Sequence, residues 1–181
     1  STDKANVMAD FANVTEFNHA ILQVPLEADT LWLECTNPTL PFGFVHDDIA
    51  GHQTLLVKPQ GGEMVRVRDY DDDLKVDTID VDVTIAADYS AQLRVRHKSM
   101  LDGYSFAEKL GKLEAKKQEL ALKALLKQSN VVLSDIDFRV DKSEVPSGEV
   151  IFTASQQLYG KKSGTRLFAP INLNTPGYAN Y

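Results

Sequence analysis

The stretch Ile79–Lys98, IDVDVTIAADYSAQLRVRHK, decides how the second half of the chain is read. Ile79, Val81, Val83 and Ile85 alternate with Asp80, Asp82 and Thr84, the period of a strand with one buried face. AADYSA makes a turn, and QLRVRHK follows with Leu93 and Val95 on one face and Arg94, Arg96 and Lys98 on the other. A turn centred near Tyr89 sets Asp82 near Arg96 and Asp80 near Lys98, pairs that add roughly a few tenths of a kcal/mol each to the register. A hairpin of this kind needs a second layer over its apolar face.

That layer is expected just downstream, in SFAEKLGKLEAKKQELALKALLKQSN, Ser105–Asn130. Ser105 and Glu108 have the spacing of a capping box, and the segment to Gln128 reads as one continuous helix. Phe106, Leu110, Leu113, Leu120, Ala124 and Lys127 follow three-four spacing along one face, interrupted by Lys117. Gly111 costs about 1 kcal/mol against alanine in an exposed helix interior, so close packing on the sheet is the reason to expect it there. Further strands follow: DIDFRV with Ile136, Phe138 and Val140 in phase, GEVIFTASQQLY after the turn Pro146-Ser147-Gly148, and TRLFAPINL after GKKSG.

Upstream, FNHAILQV and TLWLECT flank the short turn PLEAD and read as a β-hairpin. Pro38, Pro41, Gly43 and Gly51 then break the pattern before QTLLVK resumes as a strand. KPQGGEMVRVRDYDDD, Lys58–Asp73, concentrates turn residues and places a domain boundary there, with Met64–Arg68 as a short crossing strand. The expected division is residues 1–62, β-rich, and 63–181, a mixed or antiparallel sheet with one long packed helix, an α+β chain.

The composition narrows the function. Hydrophobic residues make up 43% and charged residues 25% of 181, which fits a globular chain. The net charge of -7 opposes phosphate backbones and anionic lipid surfaces, so nucleic acid is not an expected partner. No apolar run reaches the roughly 18 residues of a membrane span, so no membrane insertion is expected. One cysteine, Cys35, precludes an intrachain disulfide or a multi-cysteine metal cluster. The opening STDKANVMAD enters at once into material that reads as the middle of a domain, as in an excised fragment.

Candidate chemistry is confined to a few residues. A hairpin turn centred on Leu26–Glu27 sets His19 opposite Glu34, where the carboxylate can accept from one imidazole nitrogen and fix the tautomer of the other. A lone His paired to a carboxylate on a sheet is also a common structural hydrogen bond. DYDDD, Asp69–Asp73, has alternating carboxylates but lacks the glycine and glutamate of an EF-hand loop, since Leu74 and Asp80 stand at those positions. HDDIAGH offers His46, Asp47, Asp48 and His52 among turn residues, without an i,i+4 helical His pair. Neither pattern implies a metal, and no cofactor is expected.

FNHAI, then LWLECTNP, then PFG resembles the histidine and acidic strands of the transglutaminase-like superfamily, the papain-like fold with a Cys-His-Asp triad. The match covers about residues 11–58. Many bacterial members carry a Phe-Asn-His strand followed by a Trp-Leu-Asp-Pro-Thr strand; here Glu34 stands for the aspartate, and Cys35-Thr36 for Pro-Thr. The resemblance implies His19 as the triad base and Glu34 as its acidic partner. The nucleophilic cysteine of that family precedes the histidine at a helix start, and no such segment precedes His19 here. Cys35, next to Glu34 on a strand, points away from it and reads as a buried small hydrophobe. The chain is therefore expected to be the C-terminal portion of a larger, extracytoplasmic bacterial protein, a cysteine protease or transamidase acting on a protein or peptide, and inactive alone. The alternative is a noncatalytic β-rich module that binds protein or glycan at the cell exterior.

Overall fold

A computed structural model describes residues 19–128 and 130–169. Strands hold 43% of the described residues and helices 17%, an α+β, β-rich fold. The chain divides into two compact units: Ser1–Lys75 with Met100–Asp102 and Asp141–Pro146, and Val76–Ser99 with Gly103–Val140 and Ser147–Tyr181.

In the first unit, β1 (Leu22–Pro25) and β2 (Thr30–Leu33) form an antiparallel hairpin running from Leu22↔Leu33 to Pro25↔Thr30. Its loop closes where the Leu26 N–H donates to the Asp29 carbonyl at 2.9 Å. A second hairpin joins β3 (Gln53–Lys58) to β4 (Gly61–Arg66), with Lys58 opposite Gly61 and Pro59-Gln60 as the loop. The turn residues expected to mark a domain boundary thus serve a tight hairpin, and the 62/63 boundary falls inside β4. The division comes instead after Lys75, past a short 3-10 turn at Asp72–Leu74. Between the hairpins the Pro- and Gly-rich segment buries Phe44, Val45 and Ala50, and Val67 and Tyr70 close the same small core. The Tyr70 hydroxyl accepts from the Val45 N–H at 3.0 Å, so an irregular buried backbone donor is satisfied.

The second unit is a four-stranded sheet in the order β5-β6-β8-β7, formed by β5 (Asp77–Ile85), β6 (Ala91–Met100), β7 (Val132–Asp141) and β8 (Ser147–Gln156). β6 alternates as expected: Ala91, Leu93, Val95, His97 and Ser99 are buried, and Gln92, Arg94, Arg96 and Lys98 are exposed. The buried side packs with Val150, Phe152 and Ala154 of β8 and with helix residues Ala107, Leu110, Leu122 and Leu126. A short pair, β9 (Lys161–Ser163) and β10 (Arg166–Phe168), follows. The stretch of TRLFAPINL beyond residue 169 lies outside the described residues.

Two expectations about this unit change. The β5–β6 register pairs Asp80 with Arg96 and Asp82 with Arg94, because Ile85↔Ala91 leaves a five-residue loop centred on Asp88 rather than Tyr89. Arg96 instead ion-pairs with Glu149. The long helix is two: α1 (Tyr104–Gly111) and α2 (Ala115–Leu126). A 3-10 turn at Leu101–Gly103 leads into α1, so the helix starts ahead of Ser105, no side-chain cap forms at Gly103, and Glu108 pairs with Lys112. At the break, the Gln118 amide donates to the carbonyls of Gly111 and Leu113, satisfying the end of α1. The expected stripe is not continuous either: Leu113 and Leu120 are exposed, while Leu122 and Leu126 are buried. Gly111 does meet the sheet, since a Cβ there would stand 3.4 Å from the Phe138 side chain. Among the described residues no helix is long and apolar enough to cross a membrane.

Candidate functional site

The first hairpin delivers His19 and Glu34 to one another. Extended past the paired strands, the observed register puts Ile21 across from Glu34 and His19 across from Thr36, two residues away from the expected alignment. The cause is a loop centred on Glu27–Ala28 instead of Leu26–Glu27. Side chains alternate with period two, so a slip of two preserves the face, and diagonal neighbours remain within reach of long side chains. His19 Nε2 stands 2.6 Å from Glu34 Oε2.

Glu34 is held from its other oxygen as well. Oε1 accepts from the Thr36 N–H at 2.7 Å and from the Thr36 hydroxyl at 2.6 Å. The carboxylate is nearly closed off, at 2% side-chain exposure, whereas the His19 ring is 33% exposed. Burial pushes the Glu34 pKa up, but the two Thr36 bonds and the bond and charge of His19 outweigh it, and the net shift is downward from 4.5. An ionised carboxylate can only accept, so Nε2 carries a proton, and in the neutral form of the ring Nδ1 keeps its lone pair. Nδ1 has no hydrogen-bond partner among the described residues. The pair is therefore an imidazole oriented through Nε2, with Nδ1 left without a hydrogen bond among the described residues.

A second imidazole, from the loop after Phe44, stands nearby. His46 Nε2 is 3.8 Å from Glu34 Oε2, beyond hydrogen-bond length, and its ring lies edge-on to His19 with centroids 6.4 Å apart. On its other side His46 Nδ1 is 3.5 Å from Asp48 Oδ2. Asp102, whose carboxylate accepts from the Asp47 N–H at 2.8 Å, has its pKa raised by burial against that bond. His46 lies in a turn, where no periodicity announces which way a side chain points. Thr36 did carry a signal: a hydroxyl two residues after a carboxylate readily closes a local side-chain turn.

Cys35 departs from expectation. It is exposed, and its thiol donates to the Leu33 carbonyl at 3.6 Å. β2 ends at Leu33, so the alternation that would have buried the thiol stops before reaching it. Among the described residues no group of three or more His, Cys, Asp or Glu side chains is gathered as a metal site.

Beside His19 opens a cavity of about 480 Å³ lined by residues 19–23, Trp32 and residues 54–57. Compared with models of known protein families, with curated proteins and with solved structures, the chain finds no match.

Proposed function

We propose that this chain supplies the base and the orienting carboxylate of a thiol-dependent acyl transfer on amides, of the transglutaminase-like kind, as the C-terminal portion of a larger protein. The observation that carries this reading is the 2.6 Å bond from His19 to a Glu34 carboxylate fixed on its other oxygen by Thr36. In that chemistry Nδ1 of His19 takes the proton of a cysteine thiol, and the thiolate sulfur bonds to the amide carbonyl carbon. The imidazolium, stabilised by Glu34, then returns the proton to the departing amine as the C–N bond breaks, leaving a thioester for water or an amine to open. Cys35, the one cysteine present, is not assigned as that nucleophile. Its sulfur is directed to the carbonyl of Leu33, two residues back in its own chain.

The test compares hydrolysis of a blocked peptide amide, and amine incorporation into it, in two polypeptides: this chain alone, and the chain preceded by its natural upstream segment. The chain alone is expected to give no turnover. In the longer protein, His19→Ala is expected to reduce turnover by about 10²–10⁴-fold with the fold intact. An upstream segment without a cysteine at a helix start, or a rate indifferent to His19→Ala, would sink the proposal.

A second reading is a noncatalytic extracytoplasmic module that binds protein or glycan. It draws support from the open cavity beside His19, whose lining includes no Asp, Glu, Lys or Arg.

A further inference from the structure

The residues around the cavity beside His19 include an unbroken run of β3, 54–57, together with residues 19–23, of which only Leu22 and Gln23 belong to β1, and Trp32 of β2. On the face of a strand only every second residue would reach a shared space, because successive side chains point to opposite sides. The unbroken run along β3 therefore marks its edge, and among the described residues that edge is open, since β3 pairs only with β4. The cavity thus lies against β3 backbone whose outward N–H and C=O groups have no ladder partner among the described residues, the kind of surface that another strand completes.

The side chains agree on what kind of strand. Leu22, Leu55 and Val57 are exposed, at 51%, 41% and 80%. No Asp, Glu, Lys or Arg lines the cavity, and its polar contributions come from His19, Gln23 and Thr54. In a chain with a net charge of -7, this uncharged lining offers no partner to a charged segment and suits an uncharged one. The usual protections of a free edge, an inward charge or a proline, are absent from residues 53–57.

We propose that this cleft binds an extended, uncharged apolar peptide segment of another protein by strand addition to the free edge of β3, with alternate side chains seated on Leu22, Leu55 and Val57. The inference concerns binding and holds whichever reading of His19 is right. A strand held there runs past the His19 ring, so the occupant is a substrate if the base is catalytic and a ligand if it is not.

Trp32, the one tryptophan of the chain, lines the cavity and reports on its filling. The native chain is titrated with an N-acetylated, C-amidated hexapeptide of alternating valine and threonine, followed by Trp32 fluorescence. Two further peptides carry N-methyl groups on alternate amides, one in each phase. Saturable binding is expected, weakened at least about tenfold by N-methylation in one phase and little changed in the other, since an edge takes bonds from every second amide. Val57→Lys, at a position exposed enough to leave the fold intact, is expected to weaken binding at least about tenfold by placing a charge in the cleft. No saturable signal, or equal tolerance of both methylated peptides, overturns strand addition. Sedimentation showing that the chain dimerises through the cleft, with Val57→Lys restoring the monomer and the peptide silent, overturns the choice of occupant in favour of a second copy.

Discussion

Glu34→Gln is the most informative perturbation of the His19 pair, because it preserves shape and removes only charge. Glu34 accepts three hydrogen bonds, from His19 Nε2, the Thr36 N–H and the Thr36 hydroxyl. Bonds to a charged acceptor contribute about 1.5–3 kcal/mol and neutral ones about 0.5–1.5, so each exchange costs about 1 kcal/mol. His19 is one-third exposed and Thr36 is exposed, and water screens both, which brings the expected loss to about 1–2 kcal/mol rather than 3. Urea unfolding at about pH 7, followed by Trp32 two residues away, measures it. The sign of the pH dependence is determined. The folded Glu34 pKa lies below its ordinary 4.5, so its contribution is fully present above that value and is lost as pH falls through the folded pKa. The gap between native chain and variant should therefore narrow as pH falls below 4.5 and close once pH is below the folded pKa. With its carbonyl oxygen kept on the Thr36 N–H, the glutamine amide presents N–H to His19, which forces the ring into the opposite tautomer with the proton on Nδ1. Nitrogen chemical shifts of His19 read this directly. A gap that persists in acid, or a ring that keeps its proton on Nε2 in the variant, refutes the account of Glu34 as an ionised acceptor.

Gly148→Ala is expected to destabilise the second unit by about 2–3 kcal/mol, seen as a loss of helical circular dichroism at lower urea, because the new Cβ would stand 2.7 Å from the Tyr104 carbonyl oxygen and 3.0 Å from the Ala107 Cβ. An unchanged midpoint would mean that α1 and β8 do not approach as closely as described. Cys35 should react stoichiometrically with iodoacetamide in the folded chain, and Cys35→Ser should alter stability by less than about 0.5 kcal/mol; protection of the thiol until unfolding would return it to the core. His97→Leu should change stability by less than about 1 kcal/mol, since the 2.6 Å bond to the mostly exposed Asp77 is lost together with a buried Nδ1 that has no hydrogen-bond partner among the described residues; a loss above about 3 kcal/mol would place an unseen partner on Nδ1.

The faces of β6 were legible in the sequence because they rest on a period that needs no knowledge of partners, whereas Val83 and Ile85 of β5 and Val140 of β7, in phase with partly buried neighbours, are exposed. Leu93 and Val95 point inward, and the same phase carries His97 and Ser99 with them. QTLLVK forms β3 with its expected ends. The helix was legible in its location and not in its continuity. Counting three-four steps from Phe106 to Ala124 assumes one uninterrupted axis, but the chain turns at residues 112–114 and resets the phase, so that Leu120 faces outward while Leu122 is wholly buried. Lys117, which breaks the stripe, was the available sign. Pro59-Gln60 and the glycines after it do make a turn, but such residues mark a change of direction without saying whether a domain ends there.

Both hairpins slip from their expected registers by two, and the consequences differ. In the β5–β6 pair the slip reassigns each cross-strand charge partner, because direct pairing is specific to one register. At His19 and Glu34 it moves the pair from directly opposite to diagonal and leaves them bonded. A glutamate is long enough to cross that diagonal, and beyond the last paired residues of β1 and β2 the backbone is free to close the distance. An aspartate at position 34, one methylene shorter, would have less reach across the same offset while still accepting from Thr36. The glutamate at this position and the four-residue loop at Leu26–Asp29 are thus coupled features: the loop sets the offset, and the longer acid spans it.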